Sequence, residues 1–532
     1  MSPDAGAKYR AIHIDPGFKR YLIRYFSIGA VFYLLAATIQ TTYYHPDQHF
    51  QTLEWAHFKT RPTNEHLLPW EYRERIRPWI QPGIYATAIT GLKAIGVENP
   101  FTHDRVLRLG SAVLGLLATI LFCIMLADWL PLDGQRRWLA ITFALFWLFP
   151  TLHTRTSSEN LSSTFLLFGL SALFLLRLNR GPTPSSRETL GPFTGPIAFS
   201  YSGLITSGLL LGLSFAFRYQ MGIVIAAIGL WMLLIPRTPF RQLVVFGVGI
   251  LVPIGVGVLI DWWGYGAFEI VPWNYLRINL LEGRATHFGT DPWYHYFLVL
   301  LIAPMGVVLL LAGVLFWLTH PRNLLTWTTV LFVAVHVALA HKEMRFLFPI
   351  AHLGVAMVVF TIPRRWYLLG DNGNPFLGHS RWVRRAFYLF ATINLVVLVG
   401  ASVRGPRIQV SIHKAIYREF PNNFEFYSLG LSPFIRGIPS LRMEFYGPRT
   451  ITHHTLGAMA DLATVLADTP EVIWYSNGNT VPAAPAWPAF HDHCTLMYQS
   501  YGPRMRKINV FNWQRPKERT SLYRCRGVSG NG

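Results

Sequence analysis

The residue types best suited to acid–base chemistry lie in a short polar stretch near the start of the sequence. Asp47, Gln51 and Glu54 recur at helical spacing directly after an apolar run, and Pro46 suits the first turn of a helix. Alternating polar and aromatic positions after Pro46 predict an amphipathic helix in the membrane interface. Burial there favours a carboxyl group that acts as a general base. Asp47 is therefore a candidate base, and the alternative is an Asp that caps a lipid-facing helix.

A charged cluster between two apolar runs is the second candidate site. His341, Lys342 and Arg345 are basic, and Glu343 is the acid among them. Charges at a membrane boundary are costly to bury and usually pair with each other or with a ligand. The phosphate of a lipid carrier would supply the missing anion, while Glu343 would orient Lys342 or Arg345. The alternative is a salt-bridge cluster that stabilises a tight turn.

A third group combines aromatic rings with hydrogen-bonding side chains over 261–296. This stretch ends with Asp291, Trp293 and His295. Aromatic rings at a membrane interface usually form an anchoring belt. The same residue types stack on sugar rings, with Asn, Asp and His available for sugar hydroxyls. The composition fits both interpretations.

The composition predicts an all-α polytopic membrane protein. The 532-residue chain is 52% hydrophobic and only 14% charged, whereas soluble domains carry about a quarter charged residues. Several apolar runs approach the length that crosses a bilayer core of about 30 Å. The net charge of +20 would suggest nucleic acid in a soluble protein. Here most Arg residues lie between apolar runs, where lipid headgroups and the positive-inside rule account for them, so we expect no nucleic-acid partner.

The apolar runs predict about 11 transmembrane helices. They lie at 21–41, 106–127, 138–152, 161–178, 197–217, 219–235, 243–263, 293–318, 324–340, 346–362 and 386–403. An odd count places the two ends of the chain on opposite sides of the membrane. The distribution of Arg and Lys makes the N-terminal side cytoplasmic. We therefore expect the first external loop and the C-terminal segment to share the lumenal or periplasmic face.

The same layout predicts the domain organisation. After residue 404 hydrophobicity falls, and short apolar runs such as 472–475 and 508–511 alternate with turn formers, which indicates a small α/β domain outside the membrane. Flexible linkers are predicted at 179–196 and 371–380. The predicted parts are a cytoplasmic tail (1–20), a transmembrane catalytic domain (21–403) with its first external loop (42–105), and an extracytoplasmic domain (404–532).

The sequence contains three cysteines. Cys123 lies in an apolar run and is expected in the core, while Cys494 and Cys525 lie in the polar C-terminal segment. These two form either a disulfide, which requires an oxidising compartment, or two free thiols. Their spacing does not suggest a metal site, and we expect none.

Taken together, the three groups of residues resemble glycosyltransferase family 22, the lipid-linked mannosyltransferases of the GT-C fold. The resemblance is strongest to the glycosylphosphatidylinositol (GPI) mannosyltransferase III branch, which adds an α-1,2-linked mannose. It rests on the first-loop motif at 45–57, the His-Lys-Glu-Met-Arg-Phe-Leu-Phe-Pro motif at 341–349 and the aromatic loop at 261–296, with weaker matches at Arg155-Thr156 and Arg77-Pro78-Trp79.

Two positions depart from the family pattern. Many members have a second acid after the first-loop Asp, where this chain has Gln48, so only Asp47 is left for the base function of that motif. After Arg155-Thr156 the family tends to place Asn and then Glu further on, whereas Glu159 and Asn160 are adjacent here.

The resemblance implies an inverting mannosyltransferase that uses dolichyl- or polyprenyl-phosphate-mannose. Its acceptor would be a hydroxyl of a lipid-linked glycan, of the GPI type or a related glycolipid. Asp47 would be the base, and His341, Lys342 and Arg345 would bind the donor phosphate without a metal or other cofactor. The expected supporting residues are Gln48, Glu54, Arg155, Glu343, Asp291, Trp293 and His295. The membrane would be that of the endoplasmic reticulum or a bacterial inner membrane, with the site on the lumenal or periplasmic face.

Three other functions fit parts of the sequence. A GT-C enzyme that transfers another sugar to a bacterial envelope lipid would use the same residues. A polytopic lipid or solute transporter fits many spans with intramembrane charges, but the sequence shows no internal repeat of the kind that transporters carry. A catalytically inactive scaffold is supported only by Gln48.

Overall fold

The structure is a computed structural model of the chain. It describes residues 14–40, 43, 45–61, 65, 68–178, 199–369, 374–404, 408–419, 424–429, 443–447, 451–458, 461–469, 471–477, 493–500 and 520–526. The predicted linker at 179–196, part of the one at 371–380, the apolar run at 508–511 and most of the N-terminal tail lie outside these ranges.

The described chain up to residue 404 is mainly helical. Its α-helices are α1 (Pro16–Ile39), α2 (Glu54–Thr60), α3 (Trp70–Arg73), α4 (Ile80–Ala94), α5 (Pro100–Ala127), α6 (Asp133–Leu145), α7 (Leu148–His153), α8 (Ser158–Leu175), α9 (Tyr201–Phe217), α10 (Met221–Leu234), α11 (Phe240–Tyr265), α12 (Val271–Leu276), α13 (His295–Ile302), α14 (Gly306–Thr319), α15 (Leu324–Ala338), α16 (Ala351–Thr361), α17 (Arg364–Leu369) and α18 (Arg381–Ser402). Wider or tighter helical turns cover His49–Leu53 and Arg277–Leu281 (π) and Arg284–Phe288 and Met344–Ile350 (3₁₀).

These helices confirm the predicted all-α membrane architecture. Within the described residues, six helical stretches are long and apolar enough to cross a bilayer, and four shorter apolar helices accompany them. The count of eleven spans stays a prediction. Two predicted spans are not single helices, because one divides into α6 and α7 and another into α13 and α14. The second break contains Pro304, which lacks an N–H for the helical ladder.

Glycines let two of the membrane helices, α9 and α11, pack backbone to backbone. A Cβ atom added at Gly208 would lie 2.5 Å from the carbonyl oxygen of Phe246, and one added at Gly249 would lie 2.8 Å from that of Ile205. Small residues at such positions are typical of close helix packing in membranes, where van der Waals contact drives association. The approach of α9 to α11 therefore depends on these glycines.

We predict that Gly249→Leu destabilises the protein, whereas Gly247→Leu, on the same helix, does not. A Cβ at Gly247 would meet nothing within 4 Å, so both variants gain the same helix propensity but only Gly249→Leu must push the helices apart. Overpacking of this kind costs about 1–3 kcal/mol. Thermal unfolding of the purified variants in detergent measures the difference, and equal midpoints would contradict the close packing.

The C-terminal segment forms the predicted small α/β fold. Its elements are α19 (Ile408–Glu419), β1 (Phe424–Leu429), β2 (Ile451–Leu456), α20 (Asp461–Asp468), β3 (Glu471–Asn477), β4 (Cys494–Gln499) and β5 (Thr520–Arg526). The sheet order is β2-β1-β3-β5-β4, with β1 parallel to β2 and β3, and β5 antiparallel to β3 and β4.

Strand alternation gives this sheet two apolar faces. Ile473 packs with Ile412 and Ile416 of α19, whereas Trp474 packs with Leu462 and Leu466 of α20. Successive side chains of a strand point to opposite faces, so one helix covers each face.

Cys494 and Cys525 face each other on the neighbouring strands β4 and β5. The structure joins them in a disulfide, while Cys123 is buried and unbridged. The indole N–H of Trp474 also donates to the Cys525 sulfur at 3.0 Å.

The chain divides into two compact units. The membrane unit contains residues 1–40, 71–84 and 106–404, and the loop unit contains 41–70, 85–105 and 405–532. Within the loop unit, buried side chains of the first loop contact 443–447, as described below. The domain boundaries at 20/21 and 403/404 stay a prediction.

Candidate active site

The predicted first-loop helix is present in the loop unit, but it opens with a wide turn. The backbone N–H groups of His49 and Phe50 both donate to the Pro46 carbonyl, at 2.8 and 2.9 Å. From His49 to Leu53 the chain is π-helical, and the N–H of Glu54 closes that turn on the His49 carbonyl. Such π turns are rare and occur frequently at functional sites. The helical turn between Asp47 and Glu54 is therefore wider than an α-helical turn.

The candidate base Asp47 lies immediately before the π turn and is partly exposed. Its side chain is 22% exposed, and its Oδ1 lies 3.4 Å from Nδ1 of His45. The backbone N–H of Asp47 donates to the same ring nitrogen at 3.3 Å. The carboxylate is thus accessible to a substrate hydroxyl, as a general base requires. The neighbouring Gln48 is buried.

Glu54, the other acid of the motif, is buried, and both of its carboxylate oxygens accept hydrogen bonds. Both carboxylate oxygens accept from the Phe445 N–H at 3.1 Å, and Oε1 lies 2.5 Å from Nε2 of His49. Burial lowers the pKa of the nearby His57 to about 4, so His57 is neutral at physiological pH. Since both of its oxygens already accept hydrogen bonds away from solvent, Glu54 is poorly placed to take a proton from a substrate.

The predicted basic cluster lies in the membrane unit, where Arg345 is held by two carboxylates. Its Nε and Nη2 donate to Glu343 at 2.5 and 3.2 Å, and its Nη1 donates to Glu159 at 3.2 Å. Glu159 also pairs with Arg218, with 2.9 Å between Nη1 and Oε1. The Arg345, Glu159 and Arg218 side chains are each less than 9% exposed. One buried carboxylate thus bridges two guanidinium groups.

Arg218 is the site residue that sequence analysis missed. Its Nε donates to Gln220 at 2.6 Å and its Nη1 to Ser158 at 3.1 Å. The guanidinium carbon atoms of Arg218 and Arg345 each lie 5.4 Å from the centre of the Phe346 ring, a cation–π distance. The available signal was a lone cation between two apolar runs. Glu159 was noted only as a departure from the family pattern.

Lys342 and His341 connect this cluster to the end of the aromatic loop through hydrogen bonds to its backbone carbonyls. The Lys342 ammonium donates to the carbonyls of Asp291, at 3.1 Å, and Leu339. His341 contacts the Gly289 carbonyl through Nδ1 at 2.9 Å and Glu343 through Nε2 at 3.1 Å. An ammonium group has three donors, so these bonds leave one of them for a ligand.

The remaining predicted site residues do not all lie in this network. Asp291 contacts His295, with 3.2 Å between Oδ1 and Nδ1, and Arg155 lies over the Phe348 ring at 5.6 Å. Trp293 is 65% exposed, which fits either a membrane belt or a sugar platform. The structure therefore brings His341, Lys342, Glu343, Arg345 and the Asp291 backbone into one network, with Trp293 outside it on the surface.

The electrostatics of the network favour an anion. Among the described residues, Arg218 and Arg345 pair with Glu159 and Glu343, and Lys342 adds a further cation beside them. Buried guanidinium and ammonium groups bind phosphate well because few water molecules compete for them. Among the residues that the structure describes, no group of three or more His, Cys, Asp or Glu side chains could hold a metal ion.

Similar proteins have been found by sequence and by structure. "Mannosyltransferase APTG1" of Arabidopsis thaliana is 26% identical over 344 residues, 63% of this chain and 57% of that protein. "GPI alpha-1,2-mannosyltransferase 3" of Danio rerio is 26% identical over 324 residues, 60% of this chain and 55% of that protein. The matches thus cover less than two thirds of these relatives.

Among solved structures, that of ArnT from Cupriavidus metallidurans in the apo state has a TM-score of 0.51 at 11% identity. The match covers 95% of this chain and 98% of ArnT. It shows that the two proteins share a fold, and the predicted GT-C fold is thereby confirmed.

The family predicted from the three motifs is also confirmed. The model of the Alg9-like mannosyltransferase family, which is glycosyltransferase family 22, matches residues 24–423. This region contains the candidate base, both carboxylates of the charged network and all of its cations. The chain is therefore a member of the Alg9-like mannosyltransferase family.

Proposed function

We propose that this protein is an inverting mannosyltransferase that uses a lipid-phosphate-mannose donor. The donor is dolichyl- or polyprenyl-phosphate-mannose, and the acceptor is a hydroxyl of a lipid-linked glycan of the GPI type or a related glycolipid. The observation that carries the proposal is the buried network in which Arg218 and Arg345 pair with Glu159 and Glu343 and Lys342 donates to backbone carbonyls. The names of the two relatives support mannose as the sugar.

In this mechanism Asp47 removes the proton from the acceptor hydroxyl. The resulting oxygen nucleophile forms a bond to the anomeric carbon of mannose from the face opposite the phosphate. The bond between that carbon and the phosphate oxygen breaks, and its electron pair leaves with the lipid phosphate. Inversion follows from this single displacement. The partial exposure of Asp47 supports its role, since a base must lie within hydrogen-bond reach of the hydroxyl.

The basic network stabilises the leaving group. A phosphodiester carries one negative charge, and its charge increases as the bond to the sugar breaks. Preorganised cations in a desolvated site lower the free energy of that transition state more than they do in water. Glu159 and Glu343 fix the guanidinium groups of Arg218 and Arg345 in advance, so little reorganisation is needed when the charge develops.

We further propose that the site faces the lumen of the endoplasmic reticulum or the bacterial periplasm. The positive-inside rule supports this orientation, since the basic loops fall on the opposite side in the predicted layout. The Cys494–Cys525 disulfide agrees with an oxidising compartment around the C-terminal segment.

We predict that Asp47→Asn lowers kcat by about 10²- to 10⁴-fold while donor binding is kept. Asn is nearly isosteric with Asp but cannot accept the proton. Steady-state kinetics with lipid-phosphate-mannose and a lipid-linked acceptor measure the effect. Asn caps a helix about as well as Asp, so a capping role predicts normal turnover, and that result would contradict the assignment. Gln48→Glu should be tolerated. The control is the matched exchange Asp133→Asn in α6 of the membrane unit, which should change neither kcat nor donor binding.

A second prediction concerns the cations that bind the donor phosphate. Lys342→Ala or Arg345→Ala should lower kcat/KM for the donor by an amount equivalent to roughly 2–3 kcal/mol, because each removes a charged hydrogen-bond donor from a desolvated phosphate. The exposed Arg322 provides a matched control, and Arg322→Ala should leave kcat/KM unchanged. If both cluster variants fold and keep wild-type donor kinetics, the cluster serves only as a structural turn.

A further inference from the structure

Glu54 and His49 contact each other only because the turn between them is π-helical. In an α-helix, residues five apart point about 140° away from each other. In the π turn His49–Leu53 their side chains meet at 2.5 Å, and their backbones share the N–H to carbonyl bond that closes the turn. Backbone and side chain of Glu54 therefore hold the same unusual turn.

The Glu54 carboxylate also binds a segment far along the chain. Both oxygens accept from the N–H of Phe445, which is 391 residues away in the sequence. We call residues 443–447 the clamp segment. Burial of a carboxylate costs free energy unless the group is hydrogen-bonded. Apolar packing alone therefore does not explain an acid at this position, whereas its hydrogen bonds do. Its two bonds to one N–H fix the clamp segment against the loop helix.

Ring stacking reinforces this attachment. The Tyr446 ring stacks on His49, with 5.5 Å between centroids and 14° between planes. The Tyr446 ring also stacks on Phe101, at 4.7 Å and 19°. The ring of His57 meets Phe445 edge to face at 6.1 Å. Both Phe445 and Tyr446 are buried, so the clamp segment is part of the core of the loop unit.

The π turn decides where Asp47 points. A π turn holds one more residue than the α-helical turn it replaces. Relaxation to α-helix would therefore rotate the residues before the turn by about 100° relative to those after it and shift them by about 1.5 Å. Asp47 lies just before the turn, and the buried α2 residues Trp55 and Ala56 lie just after it. Whatever stabilises the π turn thus sets the direction of the Asp47 carboxylate.

We propose that Glu54 is a positioning residue, and that through it the clamp segment of the C-terminal domain holds the π turn that aims Asp47. This inference rests on the proposed function, since it assumes that Asp47 is the base. It assigns the C-terminal domain a part in catalysis, although 443–447 lies beyond residue 423, where the family match ends. Glu54 itself holds the turn through its hydrogen bonds and does not exchange a proton with the substrate.

The test compares two substitutions of Glu54 in the full-length purified enzyme. Glu54→Ala removes both contacts and should lower kcat roughly 10- to 100-fold, the scale of a misplacement of about 1 Å, with the donor KM changed less than about threefold. Glu54→Gln should recover most of the turnover, because its amide oxygen still accepts from the Phe445 N–H and its amide nitrogen can donate to His49 Nε2.

Hydrogen exchange of the peptide that contains Phe445 provides the second readout. Its amide should be protected in the wild type and in Glu54→Gln, and should exchange faster in Glu54→Ala, because local protection reports the hydrogen bond. If Glu54→Ala does not purify as a single species, Tyr446→Leu replaces it, since it removes the stacking on His49 but keeps a buried apolar side chain. The control is Glu425→Ala, which removes an exposed acid from the same domain.

The proposal is overturned if Glu54→Ala keeps wild-type kcat. It is also overturned if Glu54→Gln loses as much turnover as Glu54→Ala, because turnover would then require the negative charge of Glu54 and not its hydrogen bonds. Asp47→Asn, assayed in parallel, separates this proposal from the proposed function. Full turnover of Asp47→Asn would contradict the assignment of Asp47 as the base, while the hydrogen-exchange result for the clamp segment would still hold. An inactive Asp47→Asn together with a fully active Glu54→Ala would contradict only the proposed role of the clamp segment.

Discussion

Two positively charged guanidinium groups can lie side by side in this protein only because the carboxylate of Glu159 lies between them. Without Glu159, burial of Arg218 beside Arg345 would combine the loss of hydration with direct repulsion, and breaking such a buried network is strongly destabilising. Glu159 is in the first turn of α8, where the helix dipole favours a negative charge. The position of α8 therefore determines where these two cations meet, and with them the location of the proposed phosphate site.

The rest of the membrane unit supports that arrangement. Arg218 follows the last residue of α9, which reaches its place through the glycine contacts with α11. Lys342 and His341 bind backbone carbonyls at the end of the aromatic loop, so hydrogen bonds connect this loop to the basic motif. Family membership removes the main support for a transporter. The same network would serve transfer of a different sugar, because in the proposed mechanism it binds the phosphate and not the sugar.

Sequence reasoning predicted those parts of the molecule that depend on local pattern. Apolar run length predicted the membrane helices, short apolar runs such as 472–475 predicted the small α/β domain, and the density of charge at 341–345 predicted a cluster paired internally or with a ligand. The partners from distant parts of the chain were not predictable in this way. Glu159 and Arg345 are 186 residues apart, and nothing in the spacing of either indicates the other. The π turn was missed for a related reason, since the Glu54 carboxylate that meets His49 across it also accepts from Phe445, 391 residues away.

We propose that the protein transfers mannose from a lipid phosphate to a glycan hydroxyl with inversion. The most direct measurement incubates the purified full-length enzyme with β-linked mannosyl-phosphoryl-polyprenol and lipid-linked acceptors, and then analyses the products by mass spectrometry and by NMR of the new anomeric centre. We expect an acceptor heavier by one hexose, joined through an α-linkage. A β-linked product, or release of free mannose without any transfer to the acceptors, would contradict it.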